Sequence, residues 1–327
     1  MDVADRPHAR FAARAAPDPD WPEQLAVRVA RCYWELGMTQ AEIATTLGIG
    51  RARVIGLLAE ARRRGIVTIT IDSPLLENVE LGDALAERYA LRFAEVCLSR
   101  ADDEHALARQ VSAAAGPAVA RRIADGATIG LGWGITLQGF AEQLAARPMR
   151  DVSVVALLGS LTRRSSMDRY EATTALAAKL GAECLYLPSP IVCDSETSRR
   201  IIVSQPMFRE IEHRAFGADL AIVSIGGPDS ATIRAVGLVT AKELRSVRAA
   251  GAIGNFLGYY IDADGDVLDC ALNERIIGIA GDTFARIPER VMISAGANKV
   301  RALRAVLSRG FVDALVTDQD TARALLR

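Results

Sequence analysis

From Phe93 to the C-terminus, short β-branched runs alternate with amphipathic helical stretches, and this rhythm restricts the fold more than any other feature of the chain. The runs are Ala94–Leu98, Thr128–Leu131, Val152–Leu158, Cys184–Leu187, Leu220–Ile225, Ile276–Ala280, Val291–Ser294 and Ala314–Thr317. Helical stretches between several of them include Glu104–Ala124, Thr136–Ala146, Asp168–Leu180, Ala241–Ala250, Lys299–Ser308 and Thr321–Leu326. Strands alternating with helices of this length imply a doubly wound, mostly parallel sheet covered on both faces. One segment differs: Gly258 to Leu268, GYYIDADGDVL, reads as an antiparallel hairpin turning at Asp264-Gly265.

The first ninety residues follow another rhythm. Residues 1–22 are rich in Pro, Ala and Asp and show no period, so a flexible tail is expected there. A helix is expected from Glu23 to Leu36, with Leu25, Val29, Cys32, Tyr33 and Leu36 on one face. Thr39 and Glu42 form a capping box that opens a short helix bearing Ile43 and Leu47, and Gly48 ends it. A second helix follows from Arg51 to Arg64, with Val54, Leu57, Leu58 and Ala61 as its apolar stripe. Gly50, Arg51, Ala52, Arg53 and Ile55 are left facing outward at its start.

Two helices around a glycine turn make the helix-turn-helix shape, whose second helix enters a major groove by its N-terminal end. Charge separates this from a helical hairpin in a protein core. From Gly50 to Arg64 there are five arginines and one glutamate, a net of +4. The period-two run Val67 to Ile71 is expected to add a strand, the wing. Thr39, Gln40, Gly50, Arg51, Ala52, Arg53, Ile55 and Arg62 are the candidate DNA contacts. The division expected is a tail, 1–22; a winged helix-turn-helix, 23–73; a linker helix, 74–92; and a ligand-binding and oligomerisation domain, 93–327.

Composition narrows the partners. The net charge of the 327 residues is −1, so nucleic-acid binding must rest on the local patch. There is no apolar run of membrane-spanning length and no apolar signal core at the start, so a cytoplasmic protein is expected. Five cysteines without a CxxC pair and three scattered histidines give no metal signature, and no cofactor is expected. Only Lys179, Lys242 and Lys299 break a near-complete use of arginine as the basic residue. A lysine kept in such a chain suggests a need for its compact charge.

In open parallel sheets, ligands sit beyond the carboxyl ends of the strands. Gly132-Trp133-Gly134-Ile135-Thr136 occupies such a place, between a strand and a helix. Glycines admit close approach by an anion and the helix start offers free amides. The spacing fits neither GxGxxG nor a Walker loop, which favours a small phosphate or polyol over a dinucleotide. A tight turn with glycines for packing is the alternative. Lys299, after the run ending at Ser294, would reach over the sheet edge, and Gly159-Ser160 follow a third strand. Asp262 is placed to accept two sugar hydroxyls, with Asp264 and Asp266 as turn formers. The DADGD run lacks the closing glutamate of a calcium loop.

Six segments in order carry a family resemblance: MTQAEIATTLGIGRARVIGLLAEARRRGIVTI, TIGLGWGITL, CLYLPSPIV, GAIGNFLGYYIDADG, ISAGANKVRALRAVL and FVDALVTDQDTARALL. The chain resembles the SorC family of bacterial transcriptional regulators, also described as DeoR-like sugar-binding regulators. The resemblance implies an operator-binding N-terminal module and a C-terminal domain that binds a small, often phosphorylated, sugar. It also implies dimers or tetramers, and a sugar domain similar in fold to sugar-phosphate isomerases and deaminases. The family's phosphate loop falls on Gly132, Gly134 and Thr136, its acidic sugar contact on Asp262 and its lysine contact on Lys299. Departures are Gly56, where the family often has a polar or basic residue, Ala295-Gly296-Ala297 in place of AGG, and Asn255 in place of Asp.

The reading is therefore a transcriptional regulator without enzymatic activity, whose operator binding is controlled by a sugar, polyol or sugar phosphate. Its effector contacts would be Gly132, Trp133, Gly134, Thr136, Gly159, Ser160, Asp262 and Lys299. The rival reading is a sugar-phosphate isomerase or deaminase with an appended helical domain. It would need a His or paired-carboxylate base near these loops, and the sequence offers no convincing one.

Overall fold

The computed structural model describes residues 21–101, 103–160, 172–228, 237, 239–279 and 281–327. The chain divides into two compact units, Met1–Ser73 and Pro74–Arg327. The expected tail up to residue 20 and the start of the expected helix Asp168–Leu180 lie outside the described residues.

The small unit is helical. Helix α1 spans Trp21–Ala30 and runs into a π-helical turn, Arg31–Glu35; α2 spans Gln40–Leu47 and α3 spans Arg51–Arg63. Leu25, Val29, Cys32, Ile43, Val54, Leu57 and Leu58 form one core. Each fully buried Leu or Val there contributes roughly 1.5–3 kcal/mol. The capping box is formed: Thr39 N donates to Glu42 Oε2 at 2.8 Å, and Glu42 N donates to Thr39 Oγ1 at 3.3 Å. Gly48 closes α2 at φ 65°, a left-handed conformation that a side chain would strain.

Two expectations fail here. Tyr33 and Leu36 are exposed, while Trp34 packs on the core. The cause is the π turn, where Leu36 N donates to Arg31 O, five residues back, and so shifts the helical phase. The wing is absent as a strand: Val67–Ile71 has no ladder partner, and Ile69 and Ile71 are 51% and 63% exposed. Alternation alone makes no strand when no second strand exists for it to pair with.

The large unit is built on seven strands: β1 Phe93–Cys97, β2 Thr128–Leu131, β3 Ser153–Ser160, β4 Glu183–Pro190, β5 Leu220–Val223, β9 Glu289–Ile293 and β10 Ala314–Asp318. They form one sheet in the order β1-β10-β9-β5-β2-β3-β4, every pair parallel. Alternate residues feed opposite cores. Ile129, Leu131, Val154, Ile222, Val291, Ile293 and Val316 pack beneath α5 Glu104–Ala120, α6 Ile135–Gln143 and α7 Ala172–Leu180. Val155, Leu157, Ala221, Val223, Met292 and Leu315 face the other way, toward α10 Val300–Ser308 and α11 Gln319–Leu326. Burial on both faces is what a parallel sheet requires of its strands.

The segment 74–92, expected to be a linker, belongs to this unit. Helix α4, Leu76–Arg88, has Leu85 fully buried, and Arg323 pairs with its Glu77 at 2.6 Å. Tyr89 Oη donates to Leu325 O at 2.9 Å. Helices α8 Glu196–Val203 and α9 Pro206–Phe216 were not expected at all. The described residues 276–279 of the run Ile276–Ala280 make isolated bridges, Leu158 with Gly278 and Val192 with Ile276, and no strand.

A second sheet of three strands joins β6 Ile225–Gly226, β7 Gly254–Phe256 and β8 Tyr259–Ile261, all antiparallel. Its tight turn is Leu257-Gly258, with φ 50° and 88°, the two positive values of a type I′ hairpin. At the expected turn, Asp264-Gly265, only one bridge forms, Ile261 with Val267.

Candidate functional site

In the small unit, the start of α3 is bare. Gly50, Arg51, Ala52, Arg53 and Ile55 are all exposed, Ile55 by 48%. Gly50 caps the helix with no side-chain hydrogen bond. Arg64 is held by Glu23 at 2.8 Å and Glu60 at 3.4 Å. No ion pair among the described residues engages Arg51, Arg53, Arg62 or Arg63. Thr39 is exposed and Gln40 half-buried at the start of α2. This is a cationic, unpaired tip of the kind that meets phosphates and base edges.

In the large unit, the sheet order reverses between β2 and β5. From β2 the chain winds outward through β3 to β4, and from β5 it winds the other way through β9 to β10. Such a switch point opens a crevice at the strand ends. A cleft of about 650 Å³, part of it open to solvent, lies there. That size suits a small organic ligand.

Three elements bring polar groups into it. After β2, Gly132, Trp133, Gly134 and Thr136 line the cleft. Gly134 caps α6 at φ 118° and supplies no side-chain hydrogen bond, so the first amides of α6 lack a side-chain acceptor. The Ser112 hydroxyl lies 2.6 Å from the Thr136 carbonyl and ties this helix start to α5. After β5 come Ser224, Ile225 and Gly226. After β9, the short turn Ala297–Lys299 presents Lys299, only 8% exposed, with its Nζ 3.3 Å from Glu104 Oε1. Asp103 N-caps α5 by accepting from Ala106 N at 2.7 Å, and that amide holds its carboxyl below the usual range.

The structure thus brings together Gly132, Trp133, Gly134, Thr136 and Lys299. Gly159 and Ser160 line an adjoining recess that shares Gly132, Trp133 and Leu158 with the main cleft. Asp262 stands apart. Its Oδ1 accepts from Asp264 N and Asp266 N, both at 3.0 Å, so it shapes its own turn. Three polar lining residues escaped sequence reading as contacts: Glu104, Ser224 and Asn255. Glu104 could have been found from its place at a helix start beyond a strand. Asn255 Nδ2 donates to Gly258 O at 2.6 Å and so clamps the hairpin turn that holds Leu257 in the left-handed region, against the cleft.

No group of three or more His, Cys, Asp or Glu residues suited to a metal occurs among the described residues. No helix among them is long and apolar enough to cross a membrane.

Residues 73–327 match the family described as "Putative sugar-binding domain". The chain belongs to the SorC family of sugar-binding transcriptional regulators. It is 30% identical over 311 residues to the erythritol catabolism regulatory protein EryD of Brucella abortus, covering 94% of this chain and 98% of that one. It is 29% identical over 311 residues to the deoxyribonucleoside regulator of Bacillus subtilis, covering 93% and 97%. Among solved structures, the full-length sorbitol operon regulator SorC of Klebsiella pneumoniae is 28% identical, with a TM-score of 0.71 over 93% of this chain and 99% of that one. As a SorC-family member, the protein is a DNA-binding regulator of carbohydrate-metabolism genes, controlled by a sugar-type effector.

Proposed function

We propose that the cleft at the β2/β5 switch point is the effector site, and that its ligand is a small polyol, sugar or sugar phosphate. The observation that carries this reading is the meeting of Lys299, more than nine-tenths buried, with the glycine-capped start of α6 in one cleft. A buried ammonium is stable only with acceptors around it, and uncapped helix amides are donors in search of one. Thr136 and Ser224 add hydroxyls, Asn255 an amide and Trp133 an apolar wall, a mixture suited to a polyhydroxylated molecule. Gly159 and Ser160 extend the site into the adjoining recess.

DNA is contacted through the start of α3. Arg51 and Arg53 read base edges or phosphates, with Gly50, Ala52 and Ile55 against the groove wall and Thr39, Gln40 and Arg62 at the backbone. Two such helices in a homodimer, or in each dimer of a tetramer, span half-sites one or more helical turns apart. The effector regulates by binding one oligomer geometry more tightly than the other, since a ligand shifts an equilibrium only by its differential affinity. That two relatives carry names of erythritol and deoxyribonucleoside regulators supports a small carbohydrate as the effector class.

The test is a thermal-shift and calorimetric panel of sugars, polyols and their phosphates on the full chain and on Lys299→Met. The parent protein is expected to bind at least one compound and the variant to lose most of that affinity. Equal binding by both overturns the assignment of the cleft.

A further inference from the structure

Two charged side chains occur among the described residues lining the cleft, Lys299 and Glu104, and they face each other at 3.3 Å. Both are set by backbone devices. Glu104 is the first residue of α5, fixed by the Asp103 cap. Lys299 follows a turn in which its own amide donates to Gly296 O at 2.9 Å, while Gly296 N donates to Thr321 Oγ1 at 2.9 Å. The Lys299 side chain is 10% exposed and the Glu104 side chain 43%, so the carboxylate lies on the open side of the buried ammonium.

This pairing changes what the cleft can select. A lone buried lysine beside a helix start would draw in a phosphate. With Glu104 in place, the described part of the lining is formally neutral. A phosphorylated ligand must displace a carboxylate tethered to the same chain, which competes at high effective concentration. It must also accept a like charge a few ångströms away, which disfavours it in a partly water-excluded site. A neutral polyol meets no such obstacle. Its hydroxyls can donate to the Glu104 carboxylate and accept from Lys299 and the α6 amides.

We infer that Glu104 sets the charge class of the effector, offsetting the Lys299 ammonium so that the cleft prefers an unphosphorylated polyol to a phosphorylated sugar. This rests on the assignment of the cleft as the effector site and narrows it to one ligand class.

The experiment titrates the full chain with erythritol, xylitol, the monophosphate of each, and inorganic phosphate. It does so for the parent protein, Glu104→Gln, Glu104→Asp and Lys299→Met. The parent is expected to bind the polyols at least about tenfold more tightly than their monophosphates. Glu104→Gln is expected to move that ratio toward the monophosphates by about tenfold or more, and to let inorganic phosphate raise the melting temperature where the parent does not respond. Glu104→Asp keeps the charge and should keep the parent's order of preference, which a merely structural role for Glu104 would not require. A parent protein that favours the monophosphates, or a ratio unchanged in Glu104→Gln, overturns the inference while leaving the cleft assignment standing. Binding that survives intact in Lys299→Met removes the cleft assignment and this inference with it.

Discussion

Helices α3 and α6 begin alike and serve opposite ends. Each starts on a glycine that offers no side-chain cap, Gly50 in one and Gly134 in the other. Gly50 has φ −67° and an open setting, so its freedom from a side chain matters for approach, not for backbone geometry. Gly134 has φ 118°, a region that other residues rarely adopt, and the helix it opens points into a cleft. The first start is surrounded by exposed arginines and can meet a long polyanion from outside. The second has one buried ammonium already matched by a carboxylate, in a cleft of about 650 Å³. The same device, an uncapped helix end, acquires its meaning from the charges placed around it.

The sharpest way to break this comparison is at the arginines. Arg51→Ala combined with Arg53→Ala is expected to cost about 2–6 kcal/mol of operator affinity, measured by fluorescence anisotropy at fixed salt. Effector binding to the same double variant should be unchanged. Undiminished operator affinity would show that α3 does not dock by its start. At the other helix, Lys299→Met should weaken effector binding by about 1.5–3 kcal/mol, the range for a hydrogen bond to a charged group. Isothermal titration of the unmodified chain beside the variant checks this.

Smaller effects separate the two glycines themselves. Gly134→Ala is expected to destabilise the large unit by about 1–2 kcal/mol in urea unfolding, because a Cβ is forced into the positive-φ region although no atom lies within 4 Å of it. Gly50→Ser should instead stabilise the small unit by a few tenths of a kcal/mol, since a hydroxyl at that position can cap α3. If the amides of α3 meet a phosphate, that same serine will compete for them and weaken DNA binding. Equal responses at Gly50 and Gly134 would erase the distinction drawn between them.

Much of this was legible from residue order. The Thr39/Glu42 box, the Gly48 stop and the Val54–Leu57–Leu58–Ala61 stripe rest on short-range rules, and all formed. Seven of the eight proposed runs became strands; in the central ones, apolar residues buried on both faces leave few other options. What failed depended on partners distant in sequence. Val67–Ile71 alternates like a strand but has nothing to pair with, and residues 276–279 have only isolated bridges. Helix α8 is amphipathic but only eight residues long, and its pattern was passed over. At the cleft, Gly132, Trp133, Gly134, Thr136 and Lys299 were readable from strand-end position. Asp262, also expected at the site, lies outside the residues lining the cleft, with its Oδ1 engaged by the amides two and four residues ahead. Glu104 was missed because its importance comes from Lys299, 195 positions later in the chain.

The way α4 lies against the last helix has a practical bearing. Glu77 grips Arg323, and Tyr89 reaches the carbonyl of Leu325, so the two ends of the large unit fasten one another like a clasp. A fragment made for crystallography or ligand screening should therefore open ahead of Pro74. Trimming it back to the first strand at Phe93 would strip α4 from Leu325 and leave that apolar seam, which Leu85 now fills, exposed to water.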